Sequence, residues 1–294
     1  MNILVFGKNG QVARSLFEAA TSFDIKVDRM GHSEIDITNE SEITDIIGDL
    51  KPQFVINAAA YTAVDQAETE ADEANKINNI GPACIARVAH KFNLPLIHYS
   101  TDYVFDGSKA GAYTEIDKVS PVNMYGQTKY DGELSVINNN PQHIIFRTSW
   151  VYGSTGKNFL KTMIRLAKDR DHINVVGDQF GSPTYSLHLA EATLHAITKI
   201  KERNVNFITV AGIYNMCGFG YTSWAGLATH ALTHSKQLDG PFADIIEIPS
   251  SEFPTPALRP MNSRLNTDKL NRVLETKLPS WQSGVEDCVS RILA

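Results

Sequence analysis

The segment Ile3-Leu4-Val5-Phe6-Gly7-Lys8-Asn9-Gly10-Gln11-Val12-Ala13 constrains the fold of this chain more than any other. Four apolar residues in a row read as a strand buried on both faces. Two glycines follow, and from Gln11 to Thr21 the apolar period becomes that of a helix. A strand that turns tightly into a helix leaves the first helical N–H groups without partners, and such groups can hold a phosphate. The spacing is G-x-x-G-x-x-A, with Ala13 permitting close helix–strand packing. In a first strand–helix turn this is where a dinucleotide pyrophosphate rests, on Gly7, Gly10, Gln11 and Val12. A glycine-rich turn without a ligand is the plainer alternative.

The same alternation continues. Ile25–Met30, Phe54–Ala58, Leu94–Tyr99 and His143–Phe146 read as further strands, with helical segments over 39–49, 72–92 and 124–139. Strand and helix in turn predict an α/β fold, a Rossmann-type doubly wound parallel sheet with helices on both faces. After Trp150 the pattern loosens: helices are expected at Phe159–Lys168 and Ser186–Ile200, and residues 241–260 hold five prolines. The expected division is a nucleotide-binding domain of residues 1–149 with parts of 186–240, and a smaller substrate-binding lobe of 150–185 and 241–294.

Composition excludes several classes. A net charge of −6 argues against nucleic acid or an anionic membrane as partner. Three scattered cysteines make neither a disulfide framework nor a zinc site. No apolar stretch approaches the ~18–20 residues that span a bilayer, and the N-terminal strand has no basic region before it, so no signal peptide is expected. A cytoplasmic protein acting on a small molecule is expected, and a homodimer stays open.

A second constellation carries chemistry. Tyr125 and Lys129, four apart, share one helix face. An ammonium there is expected to lower the neighbouring phenol from its usual pKa near 10, bringing proton exchange toward neutrality. Thr101 follows the strand Leu96–Ser100, so it lies at the carboxyl edge of the sheet, where open α/β sheets place ligands. Its hydroxyl can hold the oxygen being protonated. Together these groups can reduce a carbonyl or oxidise an alcohol if a nicotinamide cofactor supplies the hydride. After the second strand no acidic residue stands clearly at the tip to select NAD, Asp28 falling inside the strand. Arg29 or His32 can accommodate a 2′-phosphate, so NADPH is favoured, with NADH as second choice. His98, within a strand, reads as a satisfied core histidine.

These segments, with Asn57-Ala58-Ala59-Ala60-Tyr61-Thr62, Tyr99-Ser100-Thr101-Asp102-Tyr103, Arg147-Thr148-Ser149-Trp150, Asp178-Gln179-Phe180-Gly181-Ser182-Pro183 and Arg259-Pro260-Met261-Asn262, resemble the extended short-chain dehydrogenase/reductase superfamily. Within it the chain is similar over its whole length to the reductases that finish dTDP-L-rhamnose formation by reducing the C4 ketone of dTDP-4-dehydro-L-rhamnose, a cell-surface polysaccharide precursor step. The resemblance implies Tyr125 as proton donor, Lys129 as its electrostatic partner and ribose ligand, and Thr101 on the reacting oxygen. It implies Asp102, Tyr103, Trp150 and Arg259 toward the substrate, and Gly10, Gln11, Val12, Asp36, Ile37, Ala60, Tyr61 and Thr62 along the cofactor. Ala13, Tyr61 and Leu258 stand where the pattern has Gly, His and a second Arg. No acidic cluster for a metal is read, and no metal requirement is expected.

Two rivals share the fold. A nucleotide-sugar dehydratase would place an acid after Asp102, and Tyr103 stands there instead; an epimerase, like a dehydratase, recycles its bound nicotinamide, whereas a reductase consumes it. A catalytically silent, NADP-binding regulatory subunit has no need of a proton donor.

Overall fold

The computed structural model describes all 294 residues. Six parallel strands form the central sheet: β1 (Asn2–Phe6), β2 (Lys26–Met30), β3 (Phe54–Asn57), β4 (Leu96–Thr101), β5 (His143–Thr148) and a sixth, Gly212–Asn215, in the order β2-β1-β3-β4-β5-sixth. Alternation explains why the central strands read as unbroken apolar runs. Ile3 and Val5 join an apolar cluster on one face with the Ser186–Glu202 helix, while Leu4 and Phe6 join another on the opposite face with helix α2 (Glu40–Leu50) and the Gly81–Lys91 helix. A strand covered on both faces has no solvent side on which to place polar residues.

Chain direction reverses its progress across the sheet at β1, which has β2 on one side and β3 on the other. Helix α1 (Gln11–Ala19) leaves β1 at that point. Ligand clefts in open α/β sheets form at such a switch, beyond the carboxyl ends of the strands.

The stretch 72–92 departs from the single helix that its period predicts. It forms α-helix at Ala71–Asn75, a π turn at Lys76–Ile80 and α-helix again from Gly81, with Pro82 at the start of the new helix, where its missing N–H costs nothing. β4 and β5 run two residues further than their apolar runs, ending on Thr101 and Thr148.

Short pairings build the smaller part: His172–Val176 with Asp244–Ile248, Phe180–Gly181 with Thr222–Ser223 and Asn262–Ser263, and Val151–Tyr152 with Thr184–Tyr185. The Trp281–Leu293 helix inserts Val285, Cys288 and Val289 into the same cluster as Ile3 and Val5, so one apolar core runs beneath both parts. No helix is long and apolar enough to cross a membrane.

Candidate active site

Two adjoining clefts open along the carboxyl edge of the sheet, one of about 640 Å³ and one of about 570 Å³, sharing Asn9, Gly10, Ala58 and Ala60. The first is floored by the β1–α1 turn. Gly7 has φ +102°, and a Cβ there would lie 2.6 Å from the Ala58 carbonyl carbon, so only glycine lets the turn press against the end of β3. Helix α1 begins on Gly10 with no side chain capping it, which leaves its first N–H groups free toward the clefts. That uncapped terminus beside a glycine cradle suits a pyrophosphate, and the paired clefts suit the two halves of a dinucleotide.

Apart from Arg29, every residue the sequence singled out for the site lines one of these clefts. Gly7, Asp36, Ile37 and Tyr61 line the first, Gly10 and Ala60 line both, and Gln11, Val12, Thr62, Thr101, Asp102, Tyr103, Tyr125, Lys129, Trp150 and Arg259 line the second. His32 is in the first cleft, but Arg29 is not. Its guanidinium lies 4.0 Å from the centre of the Phe17 ring. Lys8 and Lys76, both missed, line that cleft and pair with Glu34 and Asp36. Asp28 lies within β2, as expected.

Local chemistry brings Thr101 and Tyr125 together. Thr101 ends β4, and its hydroxyl accepts the Tyr103 N–H at 3.2 Å, capping a 3₁₀ turn at Asp102–Val104. The Met124–Asn139 helix starts on Asn123, whose side chain accepts the Gly126 N–H at 2.8 Å and donates to the Leu258 carbonyl at 2.8 Å. Gly126 packs so closely on the 3₁₀ turn that a Cβ would stand 2.2 Å from the Tyr103 carbonyl oxygen. The Tyr103 and Tyr125 rings meet edge-on at 5.6 Å.

The electrostatics differ from the expectation drawn from spacing. Tyr125 titrates above the ordinary phenol range, because enclosure of its oxygen outweighs the help of the Thr101 hydroxyl. Lys129 is buried and donates to the Tyr99 carbonyl at 2.6 Å. Burial pulls it down to about 8, against the opposing pull of Glu133. Spacing puts Tyr125 and Lys129 on one helix and in one cleft; burial sets the direction in which each titrates. Asp102 is buried with both oxygens engaged, by Thr101 at 3.0 Å and Ser149 at 2.8 Å, and burial raises its carboxyl to about 6. His98 bonds Asn57 through Nδ1 at 3.1 Å, while its Nε2 has no partner, so it is half satisfied.

Trp150 holds a left-handed backbone, φ +48°, rare for a bulky residue. Its indole stacks on Trp224 at 3.5 Å and 8°, and a Cβ at Gly181 would lie 2.3 Å from it. Arg259 donates to Asp65 Oδ2 at 2.9 Å, fastening the proline-rich segment to the loop after β3. Lys157, Phe159 and Trp224 complete the second cleft, and no local pattern marks them.

Asn78 is a further residue the sequence reading missed. It sits in the π turn, fully buried, accepting the Tyr61 N–H at 2.9 Å and donating to the Tyr61 carbonyl and to Thr128 Oγ1, each at 3.1 Å. Asn78→Ala is expected to destabilise the fold by about 2–4 kcal/mol, since it strands buried polar partners. Urea denaturation measures this, and a loss below about 0.5 kcal/mol would contradict the role given to these bonds.

The family model of the RmlD substrate binding domain matches residues 1–294. The chain belongs to this family. Among its relatives, a dTDP-4-dehydrorhamnose reductase of Burkholderia thailandensis is 40% identical over 100% of both chains. The solved structure of a dTDP-4-dehydrorhamnose reductase from Clostridium acetobutylicum superposes with a TM-score of 0.91 at 34% identity, covering 100% of each chain. That of a dTDP-4-dehydrorhamnose reductase from Bacillus anthracis, in complex with NADP, does so with 0.88 at 34% identity and 98% of each.

Proposed function

We propose that the chain reduces the C4 ketone of dTDP-4-dehydro-L-rhamnose to dTDP-L-rhamnose with NADPH, NADH serving as a second donor. The observation that carries this is the convergence of Thr101, Tyr125 and Lys129, from a strand end and a helix, on a cleft continuous with the β1–α1 turn. When bound, the reduced nicotinamide supplies the hydride. Tyr125, still protonated at neutral pH, donates its proton to the developing alkoxide. The Thr101 hydroxyl, whose proton goes to Asp102 here, orients that oxygen by turning the same proton to it. The Lys129 ammonium balances the charge left on the phenolate and bonds the nicotinamide ribose.

Lys8 and Lys76 bring positive charge to the adenosine end and His32 a polar ring, in keeping with the NADP held by the Bacillus anthracis relative. Gly7, Gly10, Gln11, Val12, Asp36, Ile37, Ala60, Tyr61 and Thr62 line the cofactor's path. Arg259 and Lys157 offer charge to the substrate diphosphate, while Trp150 and Tyr103 offer flat faces to its sugar. In this reading residues 1–149 with parts of 186–240 hold the nucleotide cofactor, and 150–185 with 241–294 form the substrate lobe. The enzyme works in the cytoplasm, as monomer or homodimer, without nucleic acid or membrane and without a required metal.

The test is stoichiometry. With dTDP-4-dehydro-L-rhamnose, each mole of dTDP-L-rhamnose formed is expected to consume one mole of NADPH. A dinucleotide that stays bound and is recycled would instead mark an epimerase or dehydratase, and binding without turnover a regulatory subunit.

A further inference from the structure

Beneath the second cleft lies a buried ion pair to which the reaction above gives no task. Glu133 stands four residues beyond Lys129, as Lys129 stands four beyond Tyr125, so the three share one helix face. Its carboxylate is fully buried and accepts Arg147 Nε at 2.8 Å, Arg147 Nη2 at 2.6 Å and Ser100 Oγ at 2.6 Å. Ser100 precedes Thr101 on β4, and Arg147 precedes Thr148 on β5. One carboxylate therefore ties together the helix that carries Tyr125 and Lys129, the strand that carries Thr101, and the strand beside it. Arg147 is 1% exposed, rests 5.1 Å from the Phe105 ring centre, and leaves Nη1 without a partner.

Stability alone is a weak reason for such a pair, because well-packed apolar residues of similar volume often serve as well in a core. Its neighbour supplies a better one. The Lys129 ammonium is buried with one hydrogen bond, to the Tyr99 carbonyl. The titratable groups that face it are Tyr125 and Glu133, one turn to either side on its own helix, and, from β4, His98, which burial and the Lys129 charge hold neutral. On β5 the charge is Arg147, already bonded to Glu133. Glu133 is thus the counter-charge that opposes desolvation of Lys129.

We infer that Glu133 and Arg147 are positioning residues for the reduction: Glu133 sets a carboxylate one helical turn from the Lys129 ammonium and locks the helix to the strand that ends in Thr101, and Arg147 holds that carboxylate in place through two hydrogen bonds. The inference rests on the proposed role of Lys129 beside the phenol. Its sign follows directly. Lys129 is charged below its pKa, so the rate falls as pH rises through it. Removing the carboxylate makes the ammonium harder to hold, and the fall moves to lower pH.

The experiment is the pH dependence of kcat and KM for the full chain and for Glu133→Gln, Glu133→Asp and Glu133→Gln/Arg147→Met. Glu133→Gln is expected to move the alkaline limb of kcat down by about one pH unit, lowering kcat near pH 8 about fivefold while KM changes less than about threefold. The double variant, which also removes the guanidinium, is expected to fall between Glu133→Gln and wild type, and Glu133→Asp to return the limb close to wild type. If Glu133→Gln does not fold, the double variant carries the test, because it does not leave the Arg147 guanidinium buried without its carboxylate. An alkaline limb unmoved in every folded variant that lacks the carboxylate overturns the inference and leaves the proposed activity standing. A wild-type chain that never consumes NADPH with the dTDP sugar overturns both.

Discussion

Tyr125→Phe is expected to lower kcat by about 10²–10⁴-fold and to leave KM within a few-fold of wild type. The size follows from what the substitution removes. The phenol is enclosed and titrates above its usual range, so at neutral pH it carries the proton that the alkoxide needs. Phenylalanine keeps the ring and its edge-on contact with Tyr103 at 5.6 Å, and loses only the O–H. Binding contacts survive while the one that matters at the transition state does not, which is the pattern of a lowered kcat at near-constant KM. Because Thr101 acts on the same oxygen, a Thr101→Val/Tyr125→Phe double variant should lose less than the product of the single losses. Steady-state kinetics with a calorimetric check of substrate binding measure both. Near-normal turnover in Tyr125→Phe would remove Tyr125 from the mechanism.

Gly126→Ala should be almost as damaging without deleting any functional group. A methyl there would sit 2.2 Å from the Tyr103 carbonyl oxygen, with the Tyr103 carbonyl carbon at 3.0 Å. Backbone rather than a flexible side chain is in the way, so the helix start and the 3₁₀ turn must separate by about 1 Å. That seam sets the distance between Thr101 and Tyr125. A misplacement of this order can cost about 10²-fold in rate, and overpacking a tight seam typically costs about 1–3 kcal/mol of stability. Both a depressed kcat and a lowered melting temperature are expected. Stability lost with kcat intact would mean that the seam holds the fold but does not set the site.

Much of this was readable beforehand. β1, β3, β4 and β5 announce themselves because strands covered on both faces have no use for polar residues. The position of Thr101 at the sheet edge follows from the strand before it, and the shared face of Tyr125 and Lys129 from their spacing. Other features depend on three dimensions. Whether Lys129 lowers the Tyr125 phenol is decided by enclosure, which the interval of four does not encode. The π turn at Lys76–Ile80 hides in a stretch of helical period, and only the close approach of Gly132, whose added Cβ would lie 2.0 Å from the Asn78 carbonyl oxygen, gives it a cause. The contact of Arg29 with the Phe17 ring, twelve residues back, likewise has no local sign. The pairings Arg259–Asp65 and Trp150–Trp224 join residues too far apart in the chain for any local rule.

The last of these pairings gives the molecule an optical handle. Two indoles at 3.5 Å, nearly parallel, couple their excited states, and both line the second cleft. The third tryptophan, Trp281, lies apart and is not among that cleft's residues. Indole emission overlaps the absorption of a reduced nicotinamide and not of an oxidised one. Light absorbed by Trp150 and Trp224 would therefore be passed on while the cofactor is reduced and re-emitted once it is spent, so each turnover would be visible in the protein's own fluorescence, with no label attached.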